Sequence, residues 1–211
     1  MKKINKSFSL FIMMLCASLM FVSMPARAAS DPVNMLNSIA DQLISKLKAN
    51  KATLKTNRSY VYSLANQIVV PHAAVDEMAK RVLPPQTWNH ATASERSQFS
   101  SQFTTLLVHT YASALADYND QTIHFYPVRG GYDGKNTVQV NSNIERTDGP
   151  EISVNYKLVL RGSQWKLYDM SVEGVSMLES FRSQFADSLA KGDMQSLIRD
   201  LRAHNSGGRS R

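Results

Sequence analysis

The chain has 211 residues, a formal net charge of +7 and one cysteine, Cys16. Residues 1–28 hold four of the positive charges and no acidic residue, so residues 29–211 carry only +3. Because those residues contain no cysteine, they exclude disulfide bonds, a thiol nucleophile and cysteine-ligated metals. The core alone must hold the fold, and about 183 residues suffice for one domain with a sizeable interior.

The N-terminus has the order of residue types found in secretory signal peptides. Positive residues at 2, 3 and 6 precede an apolar stretch from 8 to 24, and Ala26-Arg27-Ala28 supplies small residues for cleavage. We therefore predict cleavage before Ala29 and an exported, soluble chain. Leu15 precedes Cys16 where a lipoprotein signal needs a small residue, which argues against lipidation. Export also makes nucleic acid a poor candidate ligand.

The first half of the chain after residue 28 is predicted to be helical. Asp31-Pro32 opens a helix, a second spans 60–70, and a third from 73 to 83 must end at Pro84-Pro85. Thr92 or Ser94 then starts a long helix. The first helix has one apolar stripe, formed by Met35, Leu36, Ile39, Leu43 and Leu47.

The second half changes to the periodicity of strands. Residues 122–128, 137–144, 152–160 and 164–172 are strand-like, with the clearest alternation in 152–160, and short glycine-containing turns between them predict antiparallel neighbours. Two helices broken at Gly192 follow. We expect an α+β fold with a four-stranded antiparallel sheet packed against several helices. With no repeat or linker, residues 29–205 should form one domain, followed by a flexible basic tail from 206 to 211.

Residues 165–185 are predicted to be a strand that leads into a capped helix. In regular alternation Lys166, Tyr168, Met170 and Val172 share one face, with Trp165 and Leu167 on the other. Ser176 and Glu179 have the spacing of a capping box. An apolar stripe follows at every fourth residue: Met177, Phe181, Phe185 and Leu189.

This stretch resembles the W-[KR]-x-YD-[MV]-x-x-x-GVS-[LM] signature of the toluene-tolerance/MlaC family. Residues 91–99 (ATASERSQF) and 110–115 (TYASAL) are similar to the start and continuation of the family's long helix, and Trp88 and Asp148-Gly149-Pro150 also match. The chain departs from the pattern at Pro84-Pro85, at Ser94 and at Ser180-Phe181-Arg182. These departures affect helix ends and partner contacts.

The resemblance implies a periplasmic carrier of phospholipid that supports the lipid asymmetry of the outer membrane. It implies a curved sheet in a nuclear-transport-factor-like cradle, with acyl chains in an apolar cavity. The implied partners are phospholipid, an inner-membrane ABC-transporter complex and an outer-membrane lipoprotein complex of the Mla type. It implies a monomeric chain that has no enzyme activity and no cofactor other than the phospholipid cargo.

Candidate residues for the cavity wall come from the apolar face of the sheet and from the helices that would face it. For any single one of them, ordinary core packing is the competing interpretation. From the helices they are Met78, Phe103, Leu107 and Tyr111, and from the sheet Val138, Val140, Ile144, Val154, Tyr156, Leu158, Tyr168 and Met170.

Two other function classes stay open at this point. A cradle-fold enzyme acting on an apolar substrate would need a paired acid and base, and His109 near Asp117 is the best cluster available. Asp169 could also serve as a carboxylate catalyst, although a buried hydrogen-bonding role is favoured. An interaction module that docks on a membrane complex without carrying lipid is the third class.

Overall fold

The structure is a computed structural model that describes residues 29–116, 121–146 and 149–207. The predicted signal peptide, Asp117, Asp148 and residues 208–211 lie outside the described residues. Among the described residues, no helix combines the length and the apolar character needed to cross a membrane.

The helical half has the predicted helices in order, together with two short helices that were not predicted, Lys51–Thr56 and Pro85–His90. The first three helices are α1 (Pro32–Ala49), α2 (Lys51–Thr56) and α3 (Arg58–Leu64). The next three are α4 (Val75–Val82), α5 (Pro85–His90) and α6 (Ala93–Ala116). The last two helices follow the sheet as α7 (Met177–Lys191) and α8 (Met194–Gly207), and α8 continues two residues beyond the predicted domain end at 205.

Local chemistry explains where the main helices begin. Asp31 Oδ1 accepts hydrogen bonds from the backbone N–H of Val33 at 2.7 Å and of Asn34 at 3.0 Å. Pro32 occupies the first position of α1, where the N–H group that proline lacks would have no partner within the helix. Thr92 and Glu95 form a reciprocal capping box at α6, because each side chain accepts from the other's backbone N–H. The helix that precedes Pro84-Pro85 ends at Val82, as predicted.

The predicted helix over residues 60–70 is not regular. After α3 the backbone widens into a π-helical segment, Ala65–Val69, and then tightens into a 3₁₀ turn, Val70–His72. Pro71 accounts for the end, since it has no N–H for a continuing α-helix. The π-helical segment has no sequence signal.

The sheet is an antiparallel meander in the order β1-β2-β3-β4-β5. Its strands are β1 (Thr122–Phe125), β2 (Thr137–Glu145), β3 (Ile152–Arg161), β4 (Gln164–Val172) and β5 (Val175–Ser176). The fifth strand was not predicted. It forms because Glu173 and Gly174, with φ of 50° and 81°, make a tight turn that returns the chain onto β4.

Three hydrophobic clusters hold the described residues together. The helix cluster joins α4, α6, α7 and α8, with four phenylalanines at its centre whose ring centroids lie 5.5 to 5.9 Å apart: Phe99, Phe103, Phe181 and Phe185. The sheet cluster packs Leu36 of α1 on the sheet. The third cluster joins α1, α2 and α3 through Leu47, Leu54, Val61 and Leu64.

Candidate functional site

The strand register places almost all large apolar strand residues on one face of the sheet. Directly opposite residues of antiparallel strands share a face, and Val138 pairs with Leu158, Val140 with Tyr156, and Ile144 with Ile152. Tyr156 in turn pairs with Met170 of β4. This apolar face therefore comprises Ile123, Phe125, Val138, Val140, Ile144, Ile152, Val154, Tyr156, Leu158, Leu160, Trp165, Leu167, Met170 and Val172, with Ser142 among them.

A β-bulge in β4 makes the predicted face of Tyr168 wrong. Lys157 pairs with Asp169 but Leu158 pairs with Leu167, so Tyr168 is an extra residue without a partner across the strands. The bulge brings Trp165 and Leu167 onto the face of Met170. Tyr168 instead packs against the helix cluster, with the guanidinium of Arg81 4.6 Å from its ring centre.

Coverage of the apolar face changes along the strands. Near the N-terminal half of α1, Val140, Leu158 and Trp165 have at most 1% exposure, and the sheet cluster is closed. Farther along the same face, Ile144, Tyr156 and Met170 are only half-buried, although Val154 is buried. These half-buried side chains are the positions of this second part at which an apolar ligand could contact the face.

The predicted helical residues divide in the same way. Met78 and Phe103 are buried in the helix cluster, where their neighbours are other core side chains. Leu107 and Tyr111, one and two turns farther along α6 than Phe103, are half-buried and pack at the margin of that cluster. The structure thus brings Leu107 and Tyr111, but not Met78, to a partly exposed position.

Three elements connect the three clusters in pairs. Helix α1 carries Leu36 in the sheet cluster and Leu47 in the third, and α6 carries Phe103 in the helix cluster and Leu115 beside the third. Strand β4 joins the remaining pair, because Leu167 packs on the sheet cluster and Tyr168 on the helix cluster.

Each connecting element also carries half-buried apolar side chains. These are Ile39 and Leu43 in α1, Leu107 and Tyr111 in α6, and Met170 in β4. A single domain usually has one contiguous core, whereas here three clusters are linked by these half-buried side chains, which are the places where an apolar guest would make contact. We take the region bounded by these five residues and Tyr156 as the candidate site.

Ile39 and Leu43 were absent from the sequence-based list of wall residues. Both belong to the apolar stripe of α1, but periodicity alone does not say whether a stripe faces a core or a ligand. Ile68, in the π-helical segment, is also half-buried and packs against the third cluster.

The polar side chains described near this region are two tyrosines and Asp169, whose carboxylate accepts several hydrogen bonds. Burial raises the pKa of Tyr156, and a hydrogen bond with Ser142 partly offsets that rise. Burial, followed by the charge of Asp169, raises the pKa of Tyr111. Both phenols are therefore neutral at physiological pH and are able to hydrogen-bond without adding charge.

Asp169 has a structural role in this arrangement. Its side chain is 4% exposed, and its carboxylate accepts from the Ser176 hydroxyl at 2.9 Å, from the Leu178 N–H at 3.2 Å and from its neighbour's N–H at 2.9 Å. Lys157 Nζ lies 3.1 Å away. With both oxygens engaged, the carboxylate ties β3, β4 and the start of α7 together.

The described residues offer no metal site and little support for an acid–base pair. No group of three or more His, Cys, Asp or Glu side chains among them could hold a metal ion. The ring of His109 lies 4.3 Å from that of Tyr62 in α3, so it packs between helices. Its proposed partner Asp117 lies outside the described residues.

A small groove lies beside β2. Its volume is about 220 Å³, and it is lined by Val128, Arg129, Lys135, Thr137, Val138, Gln139 and Asn141. Pockets for small ligands usually measure about 300–1,000 Å³ and are mainly apolar. Most residues that line this groove are polar or charged and its volume is small, so it is not the candidate site, although the predicted wall residue Val138 lines it.

Comparisons with known proteins agree on one family. The sequence model of the MlaC protein family matches residues 37–203. The toluene tolerance protein ttg2D of Pseudomonas putida is 30% identical over 164 residues, which are 78% of this chain and 75% of the relative. The intermembrane phospholipid transport system binding protein MlaC of Haemophilus influenzae is 27% identical over 199 residues, 93% of this chain and 91% of the relative.

A solved structure has the same fold. It is that of a phospholipid-binding protein from Ralstonia solanacearum in complex with a phospholipid. The TM-score is 0.78 at 26% identity, and the match covers 86% of this chain and all of the other.

Proposed function

This chain belongs to the MlaC family, and we propose that it is a periplasmic carrier that binds the acyl chains of a phospholipid between its three hydrophobic clusters. The observation that carries the proposal is the set of half-buried apolar residues on α1, α6 and β4, described above. The relatives support it, since one is named as a phospholipid transport binding protein and a neighbouring structure holds a phospholipid.

The energetics explain why such a carrier must enclose its cargo. Two acyl chains contain on the order of 30 methylenes, and exposing each to water costs about 0.8 kcal/mol. The total of roughly 24 kcal/mol is an upper bound, because chains in water fold on themselves. Free diffusion of phospholipid across an aqueous compartment is therefore negligible, and an apolar site inside a soluble protein removes most of this cost.

We assign different roles to the predicted wall residues. Leu107, Tyr111, Ile144, Tyr156 and Met170 are proposed to contact acyl chains, together with Ile39 and Leu43 of α1. The buried members of the set are proposed to support that wall from behind, since their side chains are shielded from solvent: Met78, Phe103, Val138, Val140, Val154 and Leu158. Tyr168 is proposed to support it from the helix cluster.

The site suits a passive carrier better than an enzyme. Among the described residues, the tyrosine hydroxyls of the site are neutral and the buried carboxylate of Asp169 is engaged by hydrogen bonds, so these groups do not form an acid–base pair for catalysis. We therefore propose that the chain performs no chemical step. Half-buried Met170 is suited to acyl chains of varied shape, because thioether side chains repack at little cost.

We further propose that the chain works as a monomer between two membranes. Its partners would be an inner-membrane ABC-transporter complex and an outer-membrane lipoprotein complex of the Mla type, so that transfer between them maintains outer-membrane lipid asymmetry. Export by the predicted signal peptide, with cleavage before Ala29, would place the mature chain in the periplasm.

Native mass spectrometry of the mature chain, purified without detergent, tests the proposal. We expect a population heavier than the polypeptide by the mass of one or more phospholipids, identified after organic extraction. A chain without lipid, which also takes up none from phospholipid vesicles, would contradict carriage and favour the interaction module.

A further inference from the structure

The charges of the chain are distributed unevenly. Residues 42–75 contain no aspartate or glutamate over 34 positions, yet they carry five lysines and arginines within residues 46–58. Residues 29–211 carry +3 in total and residues 42–75 carry +5, so the remaining residues of 29–211 have a net charge of 3 − 5 = −2. One part of the molecule therefore concentrates the positive charge.

The fold gathers this charge at one corner. Lys46 and Lys48 end α1, Lys51 starts α2 and Arg58 starts α3, and all four side chains are exposed. The three helices pack on one another through the third cluster, so the four cations lie on helices that share one apolar core. We call Lys46, Lys48, Lys51 and Arg58 the basic corner.

Two half-buried aromatic residues accompany the basic corner. Tyr60 and Tyr62 lie on the first turns of α3 and pack at the margin of the third cluster. Tyrosine is enriched at membrane–water interfaces, where its ring is apolar and its hydroxyl remains hydrated. Lysine stems likewise lie along apolar surface while their ammonium groups reach toward phosphates.

We propose that the basic corner docks on an anionic bilayer surface. Clusters of lysine and arginine beside amphipathic helices attract anionic head groups, with about 1 kcal/mol for each cation near the surface. A protein partner is the weaker alternative, because lysine is depleted at protein interfaces and three of the four cations are lysines. Docking would bring α1, which borders the candidate site, toward the membrane.

This inference rests on the proposed function for its purpose, but membrane docking is measured separately from lipid carriage. The full mature chain is mixed with phosphatidylcholine vesicles that contain or lack phosphatidylglycerol, and binding is measured by flotation at increasing salt. We expect binding only with phosphatidylglycerol, and we expect it to weaken with salt because charges at an exposed surface are screened.

The test variant is Lys46→Gln combined with Arg58→Gln. Lys48 and Lys51 are left unchanged because each already has an interaction partner. Removing two cations should weaken vesicle binding roughly 30-fold, which is the conversion of about 1 kcal/mol for each. The matched control is Arg199→Gln with Arg202→Gln, which removes the same charge from exposed positions on α8 and should change binding less than two-fold.

Three results would overturn the proposal. They are vesicle binding that is independent of phosphatidylglycerol, equal losses in the variant and the control, and binding of inorganic phosphate without vesicle binding. The last would assign the corner to a free anion. Native mass spectrometry of the same samples separates the two proposals, since an empty wild-type chain counts against lipid carriage and leaves the vesicle result unaffected.

Discussion

The hydroxyl of Ser176 donates to the carboxylate of Asp169 at 2.9 Å and at the same time accepts from the backbone N–H of Glu179 at 3.2 Å. One serine thus caps α7 and fixes the end of β4. The Glu179 side chain forms an ion pair with Arg182. Among these groups, the hydrogen bond to the Ser176 hydroxyl is therefore the part of the predicted capping box that forms. The strand-to-helix junction is organised by a buried carboxylate that helix-capping rules do not include.

Asp169→Ala should lower the free energy of unfolding by about 3 kcal/mol, because it leaves buried donors unsatisfied and removes the ion pair with Lys157. Urea denaturation followed by circular dichroism measures this change. Asp187→Ala, at an exposed position of α7, serves as the control and should cost less than about 0.5 kcal/mol. Equal effects would show that Asp169 is not a structural centre.

Leu106 and Leu107 are adjacent in α6 but differ in surroundings, since Leu106 is buried in the helix cluster and Leu107 is half-buried at its margin. Leu106→Trp should destabilise the lipid-free protein by about 1–3 kcal/mol through overpacking. Leu107→Trp should leave its melting temperature near that of the wild type and reduce the co-purifying phospholipid severalfold. Similar stability losses in both variants would place Leu107 in a dry core.

Tyr156 gives the molecule a predictable response to alkaline pH. Its pKa is raised in the folded state, so the stability it contributes is fully present below the ordinary tyrosine pKa of about 10 and is lost as the pH rises through the folded value. Tyr156→Phe should make unfolding free energy fall less steeply above pH 10. Denaturation curves across this range test it, and an unchanged slope would contradict the assignment.

His109→Ala should leave phospholipid transfer between donor and acceptor vesicles unchanged within two-fold. The ring packs against Tyr62, so its loss should affect stability by about 1 kcal/mol without affecting the cargo. Abolished transfer by a folded variant would revive the enzyme or polar-site hypothesis.

The sequence was informative where one physical rule dominates. The β3 alternation from Ile152 to Leu160 predicts its apolar face, because a single pattern fixes which side chains share a side. Pro84-Pro85 predicts the end of α4 for steric reasons. The bulge at Tyr168 could not be predicted, because one extra residue without a pairing partner leaves no mark in the residue types and yet exchanges the faces of the residues before it.

The candidate site was predictable only in outline for a related reason. Periodicity identifies apolar stripes, but Phe103 and Leu107 lie one turn apart on the same helix and differ in whether other side chains cover them. That difference depends on where α1, α6 and β4 meet, which is a property of tertiary packing. The same limit explains why Ile39 and Leu43 were missed.

Photocrosslinking of a phospholipid with a diazirine in its acyl chain tests the central claim most directly. After loading and irradiation of the mature chain, peptide mass spectrometry locates the labelled residues. We expect labels in the middle of α1, in α6 around Leu107 and Tyr111, and in β3–β4 around Tyr156 and Met170. Labels confined to the groove along β2, or no labels on a chain that carries the lipid, would contradict it.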